Sequence, residues 1–219
     1  MCGRFTLKLT ARLLAVFLGI DEPEAWQPRF NLAPSQSLLA VIPGKRGREW
    51  LRPRWGLVPA WACDPKTVKP LINARGETIG EKPSFREAFR RRRCLIPADG
   101  FYEWQGTGRG KVPFWFHRRN GDPFALAGVW EPGKNGADPT CAIVTTDANE
   151  VVAAIHERMP VMLTQGTFDL WLTGTIAEAS SLMKPFSAED LVTERVSERV
   201  NSPRNDDEGC IRPDRNLLD

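Results

Sequence analysis

The stretch Cys94-Leu95-Ile96-Pro97-Ala98-Asp99-Gly100-Phe101-Tyr102-Glu103-Trp104 decides the fold class. This apolar and aromatic run reads as a strand, and shorter runs of the same kind lie on either side of it. Residues 38–42 and 50–55 precede it; residues 114–118, 124–130 and 141–145 follow it. Turns rich in Gly and Pro separate them, at Pro43-Gly44, Gly106 to Gly110, Asn120-Gly121-Asp122-Pro123 and Pro132-Gly133.

Five segments read as helices. Thr10 caps one over 10–18, with Leu13, Leu14, Phe17 and Leu18 on one face. Ser84-Phe85-Arg86-Glu87 is a capping box that opens a second, with Phe85, Ala88 and Phe89 inward. A third runs from Ala148 to about His156 with Val151, Val152 and Ile155 inward, and 167–172 and 176–183 are shorter. Strands without βαβ alternation, flanked by helices, predict an α+β fold with a curled, mostly antiparallel, barrel-like sheet. No repeat or long linker divides the chain, so one domain over 1–219 is expected, with 202–219 as an extended tail packed on it.

Composition excludes several classes. With 219 residues, 42% hydrophobic and 26% charged, the chain suits one globular core. Its longest apolar stretch, 13–20, is too short to span a bilayer. That stretch follows Arg4, Lys8 and Arg12, but no small-x-small cleavage site comes after it, so it reads as a helix of a cytoplasmic protein. Neither GxGxxG nor GxxxxGK[ST] is present, which removes the common nucleotide-binding folds. A net charge of +3 is too mild to identify a nucleic-acid partner. Arg outnumbers Lys, however, and Arg suits forked phosphate contacts and stacking on flat rings. A GC-rich genome would give the same bias.

The five cysteines, Cys2, Cys63, Cys94, Cys141 and Cys210, form no CxxC pair, and His117 and His156 have no zinc-ligand spacing to them. Neither a disulfide framework nor a metal is expected. Cys94 and Cys141 lie in strand-like runs and read as inert core thiols; Cys63 and Cys210 lie in polar stretches. Cys2 stands apart by position. Followed by Gly3, it is in the context where an initiator Met is removed, which would leave a free 1,2-aminothiol. An α-amino group titrates near ~7.7–8.0 and a thiol near ~8.5, so part of each is nucleophilic at neutral pH. The amine condenses with an aldehyde to an imine and the thiol closes onto it, giving a five-membered thiazolidine that resists hydrolysis.

Several short segments carry polar or aromatic side chains outside the core pattern. Glu103 shares a strand face with Phe101, while Tyr102 and Trp104 take the other. A carboxylate on such a face is desolvated, which raises its pKa toward the proton-shuttling range; a half-exposed surface carboxylate is the alternative. His156 reads either as a functional imidazole or as a helix-end cap. Trp61 and Trp104 read as core or as stacking platforms. Arg90-Arg91-Arg92-Arg93 reads as a solvated helix end complementing the helix dipole.

Taken together, the segments MCGRF, NLAPSQ, WGLVPAWA, NARGET, SFREAF, CLIPADGFYEW, FALAGVWE, TTDAN, IHERMPVML and VNSPR resemble the SOS-response-associated peptidase (SRAP) family of abasic-site DNA–protein crosslinking proteins. The resemblance covers nearly the whole chain; Gly76 stands where relatives often carry another small residue. It implies that Cys2, freed of Met1, forms a thiazolidine with the aldehyde of an abasic deoxyribose in single-stranded DNA. Glu103 would serve as acid and base, His156 would help protonate the sugar oxygen, and Asn73 would hold the amine or the sugar oxygens. Arg4, Arg75, Arg86 and Arg158 would contact phosphates, and Trp61 and Trp104 would stack on bases, the usual means of holding single strands without sequence readout. The resemblance further implies autoproteolytic exposure of Cys2, AP-lyase activity and no cofactor. It implies a monomer without membrane attachment, cytoplasmic and nucleoid-associated on damaged DNA. Two alternatives stay open. One is an N-terminal-nucleophile amidohydrolase using Cys2, whose required oxyanion-hole Asn-Gly finds here only Asn120-Gly121, which reads as a plain hairpin turn. The other is a noncovalent single-strand binding module with an incidental Cys2.

Overall fold

The run at 94–104 folds as two strands, and the break at Asp99 divides the molecule into two sheets. A computed structural model describes residues 2–62, 68–108, 110–134 and 136–214; Cys63 lies outside them. In chain order the first strands are β1 (Phe5–Leu7), β2 (Arg29–Leu32), β3 (Ala40–Gly44), β4 (Gly47–Leu51), β5 (Arg54–Trp55) and β6 (Asn73–Arg75). The long strands follow: β7 (Arg93–Ala98), β8 (Gly100–Thr107), β9 (Gly110–Arg118), β10 (Phe124–Glu131) and β11 (Thr140–Asp147). The last are β12 (Arg158–Pro160), β13 (Met162–Leu163) and β14 (Leu191–Arg195). Among the described residues five α-helices flank them: α1 (Ala11–Leu18), α2 (Arg86–Arg91), α3 (Glu150–Ala153), α4 (Phe168–Thr173) and α5 (Ile176–Ser181).

One sheet has the order β14-β9-β8-β1-β2; the other runs β12-β11-β10-β7-β3-β4, with β13 beside β10. Among the described residues only β5 and β6, both on β11, pair in parallel. The result is an α+β fold around a curled half-barrel, mostly antiparallel. Between the sheets lies the main core, where Phe101 stacks on Phe116 at 5.0 Å and Phe5 meets Trp55 edge-on at 5.4 Å. Tyr102 and Trp104, on the opposite face of β8, join a smaller cluster with Trp115, Val196, Val200 and Cys210. Cys210 is therefore a core residue, not a loop thiol. Among the described residues no helix is long and apolar enough to cross a membrane.

Asp99 is the elbow between the sheets. Its backbone N–H donates to Thr6 O, and its buried carboxylate accepts from Thr6 Oγ1 at 2.6 Å and from the Lys8 amide. The chain thus turns from β7 into β8 without leaving polar groups unpaired in the core. Gly100 completes the elbow, because a Cβ there would lie 2.1 Å from Trp115 Nε1.

Other local expectations need correction. α2 starts at Arg86, with no side-chain cap from Ser84, although Phe85, Ala88 and Phe89 are buried as expected. α3 is a single short turn capped by Asn149 and stops at Ala153, short of His156. On α1, capped by Thr10 and closed by left-handed Gly19, the buried positions are Leu14 and Leu18, while Leu13 is 52% exposed. Asn120-Gly121 is not a hairpin turn: β9 and β10, which it joins, belong to different sheets. Only half of the four-arginine run is solvated. Arg92 pairs with buried Glu131 at 2.8 Å, and buried Arg93 donates to Trp171 O, Gly174 O and Phe89 O, tying the end of α4 to the end of α2.

Residues 196–214 fold back over β2, and residues 215–219 of the expected tail lie outside the described residues. Val196 bridges to Pro213, Arg195 pairs with Asp214 at 2.9 Å, and Asp206 accepts from the Phe30 and Asn31 amides at 2.6 and 2.8 Å.

Candidate active site

Sheet register brings the chain start to Glu103. Phe5 pairs with Phe101, and the Tyr102 amide donates to Arg4 O at 3.0 Å, so residues 2–4 run past the middle of β8. From the other sheet, β6 lies parallel to β11 and aims Asn73 at the same place. Its Nδ2 donates to the Cys2 carbonyl at 2.9 Å, while its Oδ1 is buried with no hydrogen-bond partner among the described residues. A groove of about 630 Å³ opens above, lined by Gly3, Arg4, Pro34, Glu103, Trp104, Lys111, His156 and Asn201.

The electrostatics follow from burial. Glu103 is 4% exposed, and desolvation raises its carboxyl pKa, with the His156 and Lys111 charges pulling it partly back. Cys2 is fully buried, its thiol donating weakly to Arg4 O at 3.9 Å. Desolvation, with the Glu103 charge adding to it, pushes that thiol far above the ordinary cysteine value, so the free nucleophilic thiol expected at neutral pH is here a protonated one. His156 follows α3, and its Nδ1 accepts the Arg158 amide at 3.0 Å. Nδ1 acts there as an acceptor, so the ring proton sits on Nε2, which is a donor.

Cys2, Asn73, Glu103 and His156 thus converge, together with Arg4 and Trp104. The remaining sequence candidates lie elsewhere. Arg75 and Arg86 are exposed, and Trp61 is 56% exposed, but none lines the groove. Arg158, expected on phosphates, is buried. Its Nη1 bonds Glu77 and Asp147 at 2.8 and 2.7 Å, and its Nη2 bonds Glu77 and the Thr145 carbonyl at 2.9 and 2.8 Å. Arg4 is similarly engaged, with Asn31 Oδ1 at 2.8 Å and Val200 O at 2.7 Å on one nitrogen and Asn201 O at 3.3 Å on the other.

Sequence reading passed over three residues. Buried Asn31 donates to the carbonyls of Val200, Ser202 and Asn205 at 3.1, 3.0 and 2.7 Å, which binds the C-terminal segment to the groove wall. Asn201 accepts the Trp104 indole N–H at 2.7 Å. Lys111 stands on the rim. The first two lie within NLAPSQ and VNSPR, where an Asn beside apolar residues was the available signal. Among the described residues no group of three His, Cys, Asp or Glu side chains is placed to hold a metal ion.

Fold and site together define an α+β half-barrel protein that buries its N-terminal cysteine beside a carboxyl–imidazole pair. The chain belongs to the SRAP family: residues 1–203 match the family described as SOS response associated peptidase. It is 40% identical over 215 residues to the abasic site processing protein YoqW of Bacillus subtilis, covering 94% of this chain and 96% of that protein. The abasic site processing protein YoaM of the same organism is also 40% identical, over 94% of this chain and 95% of its own. A crystal structure of a protein from Bacteroides thetaiotaomicron has the same fold, with a TM-score of 0.83 at 26% identity, covering 97% of this chain and all of that one.

Proposed function

We propose that this protein processes abasic sites in single-stranded DNA by forming a covalent thiazolidine through Cys2 after Met1 is removed, which shields the lesion in the DNA damage response. The observation that carries this reading is the hydrogen bond from Asn73 to Cys2 beneath a groove lined by Glu103 and His156. Both Bacillus relatives are named for abasic site processing, which supports it.

The chemistry uses each group as its burial and hydrogen bonds favour it. The Cys2 amine adds to the C1′ aldehyde, giving a carbinolamine. Glu103, whose carboxyl pKa burial raises, gives its proton to the departing hydroxyl, and water leaves as the iminium forms. The resulting carboxylate takes the proton of the Cys2 thiol as sulfur attacks the iminium carbon, and the nitrogen, keeping its own hydrogen, becomes the neutral ring amine. Aldehyde and aminothiol are joined with loss of one water, and Glu103 ends as it began. A buried, protonated thiol fits this order, because it is spared oxidation until a base is generated next to it. His156, a donor through Nε2, protonates the sugar oxygen when the ring opens. Proton abstraction beside the imine would give AP-lyase activity, and hydrolysis before Cys2 would make the protein a peptidase toward itself. The protein acts as a monomer in the cytoplasm, on nucleoid DNA.

The test is a denaturing gel after incubation with single-stranded DNA bearing one abasic site. Wild type gives a shifted band and Cys2→Ala gives none. No band with wild type, or the same stable band with Cys2→Ala, sinks the reading.

A further inference from the structure

The groove presents two cations to Glu103 and His156, and they differ in how far the protein's own chain already holds them. Arg4 is largely committed to the protein's own chain: Asn31, Val200 and Asn201 take both Nη1 hydrogens and one on Nη2, and its guanidinium lies 5.7 Å from the centre of the Trp104 ring. It braces the C-terminal segment against the N-terminal one. Lys111 differs in every respect. It is exposed on the rim near the start of β9, and its ammonium makes no hydrogen bond or ion pair with a described residue. Its cross-strand partner is Gly106, and a Cβ built there would meet nothing within 4 Å. No side chain stands opposite Lys111 to hold it, so its four-carbon stem is free to swing over the groove.

We infer that Lys111 is the groove's phosphate contact. On the DNA reading above, which this inference rests on, its ammonium takes a backbone phosphate oxygen beside the lesion, while Arg4 serves the fold. A mobile point charge suits a flexible single strand, where no fixed forked geometry is presented.

The probe is a single-stranded oligonucleotide with a tetrahydrofuran abasic analogue, which has no aldehyde and reports binding alone. Affinity is measured by fluorescence anisotropy with the full chain over a range of salt. Lys111→Ala should weaken binding several-fold at low salt and flatten the slope of log affinity against log salt by about 0.7, the share of one phosphate on a single strand. Lys111→Arg should restore the slope. Gly106→Glu, which sets a carboxylate opposite an intact Lys111, should reproduce the loss. In crosslinking assays with true abasic DNA the loss should fall on the half-saturating DNA concentration. An unchanged slope in Lys111→Ala overturns the inference, and so does a loss confined to the rate at saturation, which would place Lys111 in the chemistry at Glu103. Failure of the functional reading looks different: wild type would bind the analogue with the Lys111-dependent slope yet never crosslink the abasic strand.

Discussion

Asn73 Nδ2 donates to the Cys2 carbonyl at 2.9 Å across a sequence separation of 71 residues, and this bond fixes where the chain begins. A carbonyl left without its donor in a buried site costs about 1–3 kcal/mol. Asn73→Ala should therefore slow crosslinking by roughly 10- to 100-fold if that cost falls on Cys2 placement. Single-turnover gels at saturating abasic DNA check it; an unchanged rate would show that the chain start is held by other contacts.

Glu103 sets activity against stability. Burial raises its pKa above the ordinary 4.5, so the folded chain binds this proton more tightly than the unfolded one. Its contribution is fully present below the ordinary value and is lost as pH rises through the folded one. Glu103→Gln removes that loss. The variant should melt above wild type at neutral pH and show little difference at pH below the ordinary value. Its crosslinking should fall by about 100-fold or more, the usual worth of a positioned acid–base group. Thermal melts at two pH values and a crosslinking time course read both; a variant that melts lower at neutral pH would contradict the burial argument.

Asn31 holds three carbonyls of the C-terminal segment and one nitrogen of Arg4. Replacing it by Ala should cost about 2–4 kcal/mol, since several buried groups lose their partners at once. Urea melts give the value, and limited proteolysis should cut the C-terminal segment faster. Equal proteolysis of variant and wild type would mean that Asp206 and Arg195 suffice to hold it.

Arg75 and Arg158 should part company when each is replaced by Ala. Exposed Arg75 is free to meet a phosphate, so its loss should flatten the salt dependence of DNA binding by about 0.7. Buried Arg158 is bonded to Glu77, Asp147 and Thr145, so its loss should lower the melting temperature and leave the salt slope alone. Anisotropy titrations and melts on both variants decide the matter; a flattened slope for Arg158→Ala would mean that its ion pairs open when DNA binds.

Gly100→Ala probes the elbow. With Trp115 Nε1 2.1 Å from the new Cβ, either the indole or β8 must shift, at a cost of about 1–3 kcal/mol. A melting temperature equal to wild type would show that Trp115 relocates freely.

Much of the site was legible because its chemistry is carried by residue type. A cysteine at position 2 followed by Gly, a Glu among aromatics and a His in His156-Glu157-Arg158-Met159-Pro160 are visible without coordinates. The state of the cysteine was not. Position alone predicts a reactive thiol, whereas burial beside Glu103 keeps it protonated. Arginine roles were the least legible, since Arg4, Arg93 and Arg158 look like surface cations in sequence and are spent on carbonyls and carboxylates in the fold.

By itself the sequence determined what local backbone preference and side-chain type can encode: the Thr10-capped α1, the strand character of 94–104 and 124–130, the α+β class, and the residues able to do carbonyl chemistry. Only the tertiary structure decided where those strands break and which groups meet. Asp99 becomes an elbow because Thr6, 93 residues away, supplies its hydrogen bond, and Arg4 becomes a brace because Val200, 196 residues on, accepts from it. Periodicity reports which face a residue takes within its own element. It carries no record of the distant partner that satisfies a buried polar group, and in this protein those partners separate the residues of the candidate site from those that brace the fold.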